Sequence, residues 1–165
     1  IRALASLPQE LRSHTRLLAV GQDNPRLFAR MAAQQGVGEQ VDVVAGRNDV
    51  PRLMQAVDLL VHPAYRENTG LVLRQAMACG RPGLASDVCG YAFHVPAAAA
   101  GELAPSPFMQ EDFNRQLQRM LVSPQRAQWG ANGLRYTQRL MSDNDDSAEA
   151  VMLEQFAARR QETTA

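Results

Sequence analysis

The chain contains no lysine; its 17 basic residues are all arginine, and 17 acidic residues balance them. A formal net charge of zero removes the basic field that electrostatic binding to nucleic acid requires. Cysteine is scarce as well. Cys79 and Cys89 are the only two in 165 residues, and no C-x-x-C spacing joins them. That argues against a disulfide scaffold and a thiolate metal site, leaving two reduced, buried thiols of a cytosolic protein as the expectation. His14, His62 and His94 form no H-E-x-x-H or similar ligand set. No apolar run approaches the ~20 residues of a membrane span, and the opening residues carry no signal-peptide pattern. A Walker loop and a G-x-G-x-x-G turn are both missing, which removes the two best-known glycine-rich phosphate cradles.

What remains is ordinary globular material, 45% apolar and 21% charged, long enough for one domain with a sizeable core. Strand and helix signals alternate. Residues 1–12 read as the end of a helix, so the chain is expected to be a fragment of something longer. Thr15–Val20 reads as a strand closed by Gly21 and Gln22. Asn24 and Pro25 open a helix with Leu27, Phe28, Met31 and Ala32 as its core stripe. Val41–Ala45 is the next strand, closed by Gly46 and Arg47, and Asn48 or Asp49 caps a helix over 50–57. A strand at Asp58–His62 and a helix at Leu71–Cys79 follow, then strands at 81–86 and 102–104. Gly83 is expected to weaken the first of these two. Helices over 109–121 and from Ser123-Pro124 to about Leu140 come last, the second with Trp129 and Tyr136 as packing anchors. A polar link and an amphipathic helix complete the chain over 142–165. The order βαβαβαβ predicts an α/β fold, a Rossmann-like parallel sheet with helices on both faces.

The most informative stretch runs from Ala56 to Gly80. An apolar strand ends at Pro63, a polar turn follows from Tyr65 to Gly70, and an almost wholly apolar helix starts at Leu71. Asn68 or Thr69 can cap that helix. Gly70, in its first turn, allows a ligand close to the free N–H groups, which favour a phosphate together with the helix dipole. Glu67 at the strand's carboxyl end faces the crevice where open α/β sheets bind ligands. Gln75 projects back toward the helix start. Ordinary capping and packing would account for the same parts, with Gln75 as a satisfied core amide.

Glu67-Asn68-Thr69-Gly70-Leu71-Val72-Leu73-Arg74-Gln75-Ala76-Met77-Ala78-Cys79-Gly80 resembles the E-x7-E signature of the retaining family 4 glycosyltransferases. The flanks His62-Pro63-Ala64-Tyr65-Arg66 and Asp87-Val88-Cys89-Gly90-Tyr91-Ala92 are similar to the branch that glucosylates the inner-core heptose of lipopolysaccharide. The resemblance reaches from Ile1 to about Phe156. It implies the C-terminal, donor-binding half of a GT-B fold, one domain over 1–165 whose last helix crosses back to an absent acceptor domain. Glu67 is then the catalytic-site carboxylate that contacts hydroxyls of the donor sugar. Asn68, Thr69, Gly70 and Leu71 bind the nucleotide sugar, the last three as backbone donors to the diphosphate; Arg47 stacks on the nucleotide base or is simply a solvated loop charge, and position 75 holds the ribose.

Here that position is Gln75 instead of glutamate. An amide offers one acceptor oxygen and an NH2 donor, so the ribose contact weakens by about 1 kcal/mol without disappearing. No metal or other cofactor is implied, the donor substrate being a UDP-sugar, UDP-glucose by preference. The implied partners are that nucleotide sugar and a lipopolysaccharide core acceptor held by the absent domain, with no nucleic acid. The implied location is the cytoplasm, peripheral on the inner membrane only through the absent half. A non-catalytic nucleotide-binding or assembly module, degenerate at Gln75, is the rival reading, and another donor sugar is a third.

Overall fold

The computed structural model describes residues 1–143. The link and amphipathic helix expected over 142–165 lie outside the described residues from 144 onward. Ser142 and Asp143 still belong to a helix.

Strands and helices alternate as the sequence pattern requires. β1 (Leu17–Gly21) pairs in parallel with β2 (Val41–Ala45), from Leu17 opposite Val41 to Gly21 opposite Ala45. β3 (Leu60–His62), β4 (Gly83–Ser86) and β5 (Gly101–Ala104) form a second parallel sheet in that order. The expected sheet is therefore divided. Among the described residues its two parts are not hydrogen-bonded to each other, and β1, β2, β3 and β5 each have one unpaired edge. Alternation of strand and helix specifies parallel connections but not which strands become neighbours.

Alternate residues of the second sheet enter different cores, which is the pleat at work. Val61, Leu84 and Ala104 pack with Phe113, Leu117 and Met120 of α7 (Gln110–Val122). Leu60, Ala85 and Leu103 pack on the opposite face with Leu73 of α5 (Leu71–Ala78). A short helix ties the two sheets together. α1 (Arg2–Ala5) places Ala3 in the core with Leu84 and Phe113, and Leu4 in the core with Ala32 and Val37, against which Leu17 and Val41 pack. The helix expected to continue to residue 12 breaks at Pro8, whose ring cannot continue it, and resumes as α2 (Gln9–Ser13).

Two further elements depart from their patterns. In α3 (Pro25–Gln34), Asn24 caps as expected, its Oδ1 accepting from Arg26 N at 3.0 Å. Of the predicted stripe only Ala32 is buried, while Leu27 is 61% and Met31 40% exposed. The helix packs against β2. Asp49 stands at the start of α4 (Val50–Gln55) but does not cap it. Its carboxylate is taken by Arg47.

β4 forms with Gly83 as its first residue, and all four of its residues are buried. Gly83 lies opposite Gly101, where a Cβ would strike its own backbone. On the far side, α8 (Arg126–Asp143) lies against α5 through Gly130 and Gly133. A Cβ on Gly133 would stand 3.2 Å from Met77 Cβ, so the small residues set the helix separation. Trp129 packs on the α7 core, and Tyr136 reaches α6 (His94–Ala97) through a 2.9 Å hydrogen bond between its hydroxyl and His94 Nδ1.

Candidate functional site

β3 ends at His62, and Pro63, lacking an N–H, stops the ladder. The chain then loops over 63–69 and turns into α5 at Gly70. Ser86, buried at the end of β4, anchors this loop by donating to the Ala64 carbonyl at 2.5 Å.

Gly70 is the N-cap of α5, with a left-handed φ of 70°, and neither Asn68 nor Thr69 caps with its side chain. The reason for glycine also differs from the one expected. A Cβ there would meet Cys89 Cβ at 3.1 Å and Glu67 Cγ at 3.6 Å, so left-handed backbone and close packing require it. The consequence for the helix start is the same. Among the described residues no acceptor meets the N–H groups of Gly70, Leu71 or Val72, whereas Leu73 N donates to Gly70 O at 3.0 Å. Such free donors at a helix N-terminus attract anions.

A second loop supports the first from behind. Gly90 N donates to Asn68 O at 3.2 Å and Tyr91 N to Thr69 O at 2.7 Å. A Cβ on Gly90 would strike Asn68 O. The Arg74 guanidinium lies 5.5 Å from the centre of the Tyr91 ring, a cation–π contact that fastens the same loop to α5. Burial pushes the Cys89 thiol up; a Ser86 hydrogen bond opposes that rise, and the charges of Glu67 and Asp87 add to it. Cys89 is thus a packing residue in its protonated form. Cys79 is also free, at the far end of α5.

Glu67 sits at the mouth of this arrangement. Its Oε1 accepts from Asn68 N at 2.8 Å, and its Oε2 lies 3.3 Å from His62 Nε2. Gln75 is exposed, one turn beyond the exposed Leu71 on the same face of α5. That position excludes a core amide. α5 is accordingly not buried all round; Leu73, Ala76 and Met77 form its inner face.

Glu67, Asn68, Thr69, Gly70, Leu71 and Gln75 therefore share one loop and one helix face. Arg47 follows β2, in the other sheet, and is held by both nitrogens to Asp49 at 2.6 Å each. That hydrogen bond raises the Arg47 pKa and lowers that of Asp49. No hydrogen bond or ion pair among the described residues joins Arg47 to the Glu67 loop. Gly21 and Gln22 are exposed at the carboxyl end of β1. No three His, Cys, Asp or Glu side chains among the described residues cluster as metal ligands.

Sequence reasoning gave no site role to His62, Ser86 or Gly90, although His62 and Gly90 stand in the flanks that carry the resemblance. His62 was legible as a polar ring ending an apolar strand five residues before Glu67. Ser86 and Gly90 act through contacts distant in sequence, which no local signal announces.

The family described as glycosyl transferases group 1 matches residues 1–136. The lipopolysaccharide glucosyltransferase WaaG of Escherichia coli (strain K12) is 46% identical over 154 residues, covering 92% of this chain and 41% of that protein. The crystal structure of WaaG, a glycosyltransferase involved in lipopolysaccharide biosynthesis, superposes with a TM-score of 0.81 over 83% of this chain and 37% of that one. Alr3699/HepE of Anabaena, solved in complex with UDP, is 25% identical with a TM-score of 0.74, covering 92% of this chain and 43% of that one. The chain thus spans about two fifths of the length of these relatives.

Proposed function

Because the chain belongs to the glycosyl transferases group 1 family, we propose that it is the nucleotide-sugar-binding half of a retaining glycosyltransferase. The donor in this reading is UDP-glucose, and the acceptor is the inner-core heptose of lipopolysaccharide. The observation that carries it is the start of α5, where three free N–H groups open beside the Glu67 carboxylate. The lipopolysaccharide assignment draws on the likeness to WaaG, and the uridine nucleotide on the likeness to HepE bound to UDP.

Each group has a task that suits its chemistry. The N–H groups of Gly70, Leu71 and Val72 receive the diphosphate and carry the charge that grows on it as the glycosidic bond breaks. Glu67, an acceptor only, takes hydrogen bonds from hydroxyls of the donor sugar. Gln75 meets the ribose hydroxyls from the exposed face of α5. No metal is required, since helix donors hold the leaving group. Transfer also needs an acceptor fixed in line with the donor. These residues supply the donor side, and the reaction sits in the cytoplasm, where nucleotide sugars are made. Among the described residues no helix is long and apolar enough to cross a membrane.

Calorimetric titration of UDP, UDP-glucose and GDP-mannose tests the reading. The expected result is uridine-selective binding, with a Kd on the order of 0.1–1 mM for so few hydrogen bonds. Equal affinity for GDP-mannose, or UDP shifts in NMR spectra confined to surfaces far from Thr69–Gln75, overturns it.

A further inference from the structure

His62 has no role in what precedes, yet its place is unusual. It is the last residue of β3, registered against Ala85, and its own carbonyl faces Ser86 Oγ at 3.5 Å. The backbone beneath the ring is therefore fixed. Its Nε2 is buried and has no aligned hydrogen-bond partner, and the nearest polar atom is Glu67 Oε2 at 3.3 Å. A buried ring nitrogen left unaligned is disfavoured for packing alone, since an apolar side chain would fill the space without that penalty. The carboxylate it faces accepts hydrogen bonds, and the tautomer with the proton on Nε2 is the one that donates to it.

We propose that His62 is a positioning residue that holds the Glu67 carboxylate in the orientation needed to receive the donor sugar. This rests on the donor-binding reading above. Glu67 is gripped at one oxygen by Asn68 N–H at 2.8 Å. With only that bond the carboxylate pivots about Oε1. A second donor at Oε2 stops the pivot and leaves one lone pair on each oxygen for sugar hydroxyls. The 3.3 Å separation is within hydrogen-bond distance but off its line, and catalytic contacts of this kind tighten when substrate fills a site. The nucleotide half of the donor meets the α5 N-terminus and Gln75 and does not depend on this clamp.

The test compares His62→Leu and His62→Gln with the unaltered protein, using UDP and UDP-glucose as separate probes. His62→Leu is expected to weaken UDP-glucose binding about three- to tenfold and to leave UDP binding unchanged. His62→Gln, which keeps a donor, should restore most of the loss. Adding His62→Leu to Glu67→Ala, which leaves no acceptor at 67, should cause no further loss. An equal fall for UDP and UDP-glucose would show a purely structural residue and overturn the proposal. Crystal structures of both variants decide independently of ligand binding. A displaced Glu67 carboxylate in His62→Leu, returned in His62→Gln, supports the clamp; an unmoved one overturns it even if the donor-binding reading has already failed.

Discussion

An amide stands at residue 75 where the E-x7-E pattern has a second carboxylate, and its exposure separates affinity from stability. Gln75 is exposed, so Gln75→Ala should leave the melting temperature within the small shift typical of surface substitutions. If the amide holds the ribose, the same change weakens UDP binding by about 1 kcal/mol, roughly fivefold. Gln75→Glu should strengthen it by tenfold at most, less whatever the new charge loses against the diphosphate. Calorimetry on the two variants checks both. Unchanged UDP affinity in Gln75→Ala would remove the ribose role.

At the scale of elements, α6 and α8 meet through His94 and Tyr136, and that contact is sensitive to acid. Burial lowers the His94 pKa from its ordinary 6.5, and the Arg74 charge lowers it further. An unfolded chain therefore takes up the proton first. The stability that neutral His94 contributes is complete above pH 6.5 and is lost as pH falls through the lower folded value. The groups around it are Arg74, Tyr91, Phe93 and Tyr136. Thermal melts from pH 7.5 to 5 should decline more steeply for the unaltered protein than for His94→Gln. Parallel curves would dismiss the assignment.

This contact also marks where sequence reading stops. The alternation that identified all five strands, the Asn24 cap and the Glu67–Gln75 stretch rest on near neighbours, so they were visible. The Gly130–Gly133 seam, the Gly90 support and the Cys89–Gly70 packing join residues distant in the chain, and nothing in their composition names the partner. Leu27 and Met31 failed for the opposite reason. Their spacing promised burial, but periodicity states which residues can share a face, not whether anything covers it.

For the whole molecule, the division of the sheet has a colloidal consequence. Among the described residues β1, β2, β3 and β5 each keep one margin that no strand pairs, with backbone donors and acceptors that an extended segment can satisfy. A neighbouring molecule offers such a segment at high concentration, and with zero net charge no long-range repulsion keeps the two apart. The protein should therefore remain monodisperse only when dilute. Light scattering should rise with concentration, accompanied by the infrared band of intermolecular β-structure. Adding salt should change the onset little, because charge does not oppose it. An unfinished margin of this kind makes the molecule its own template.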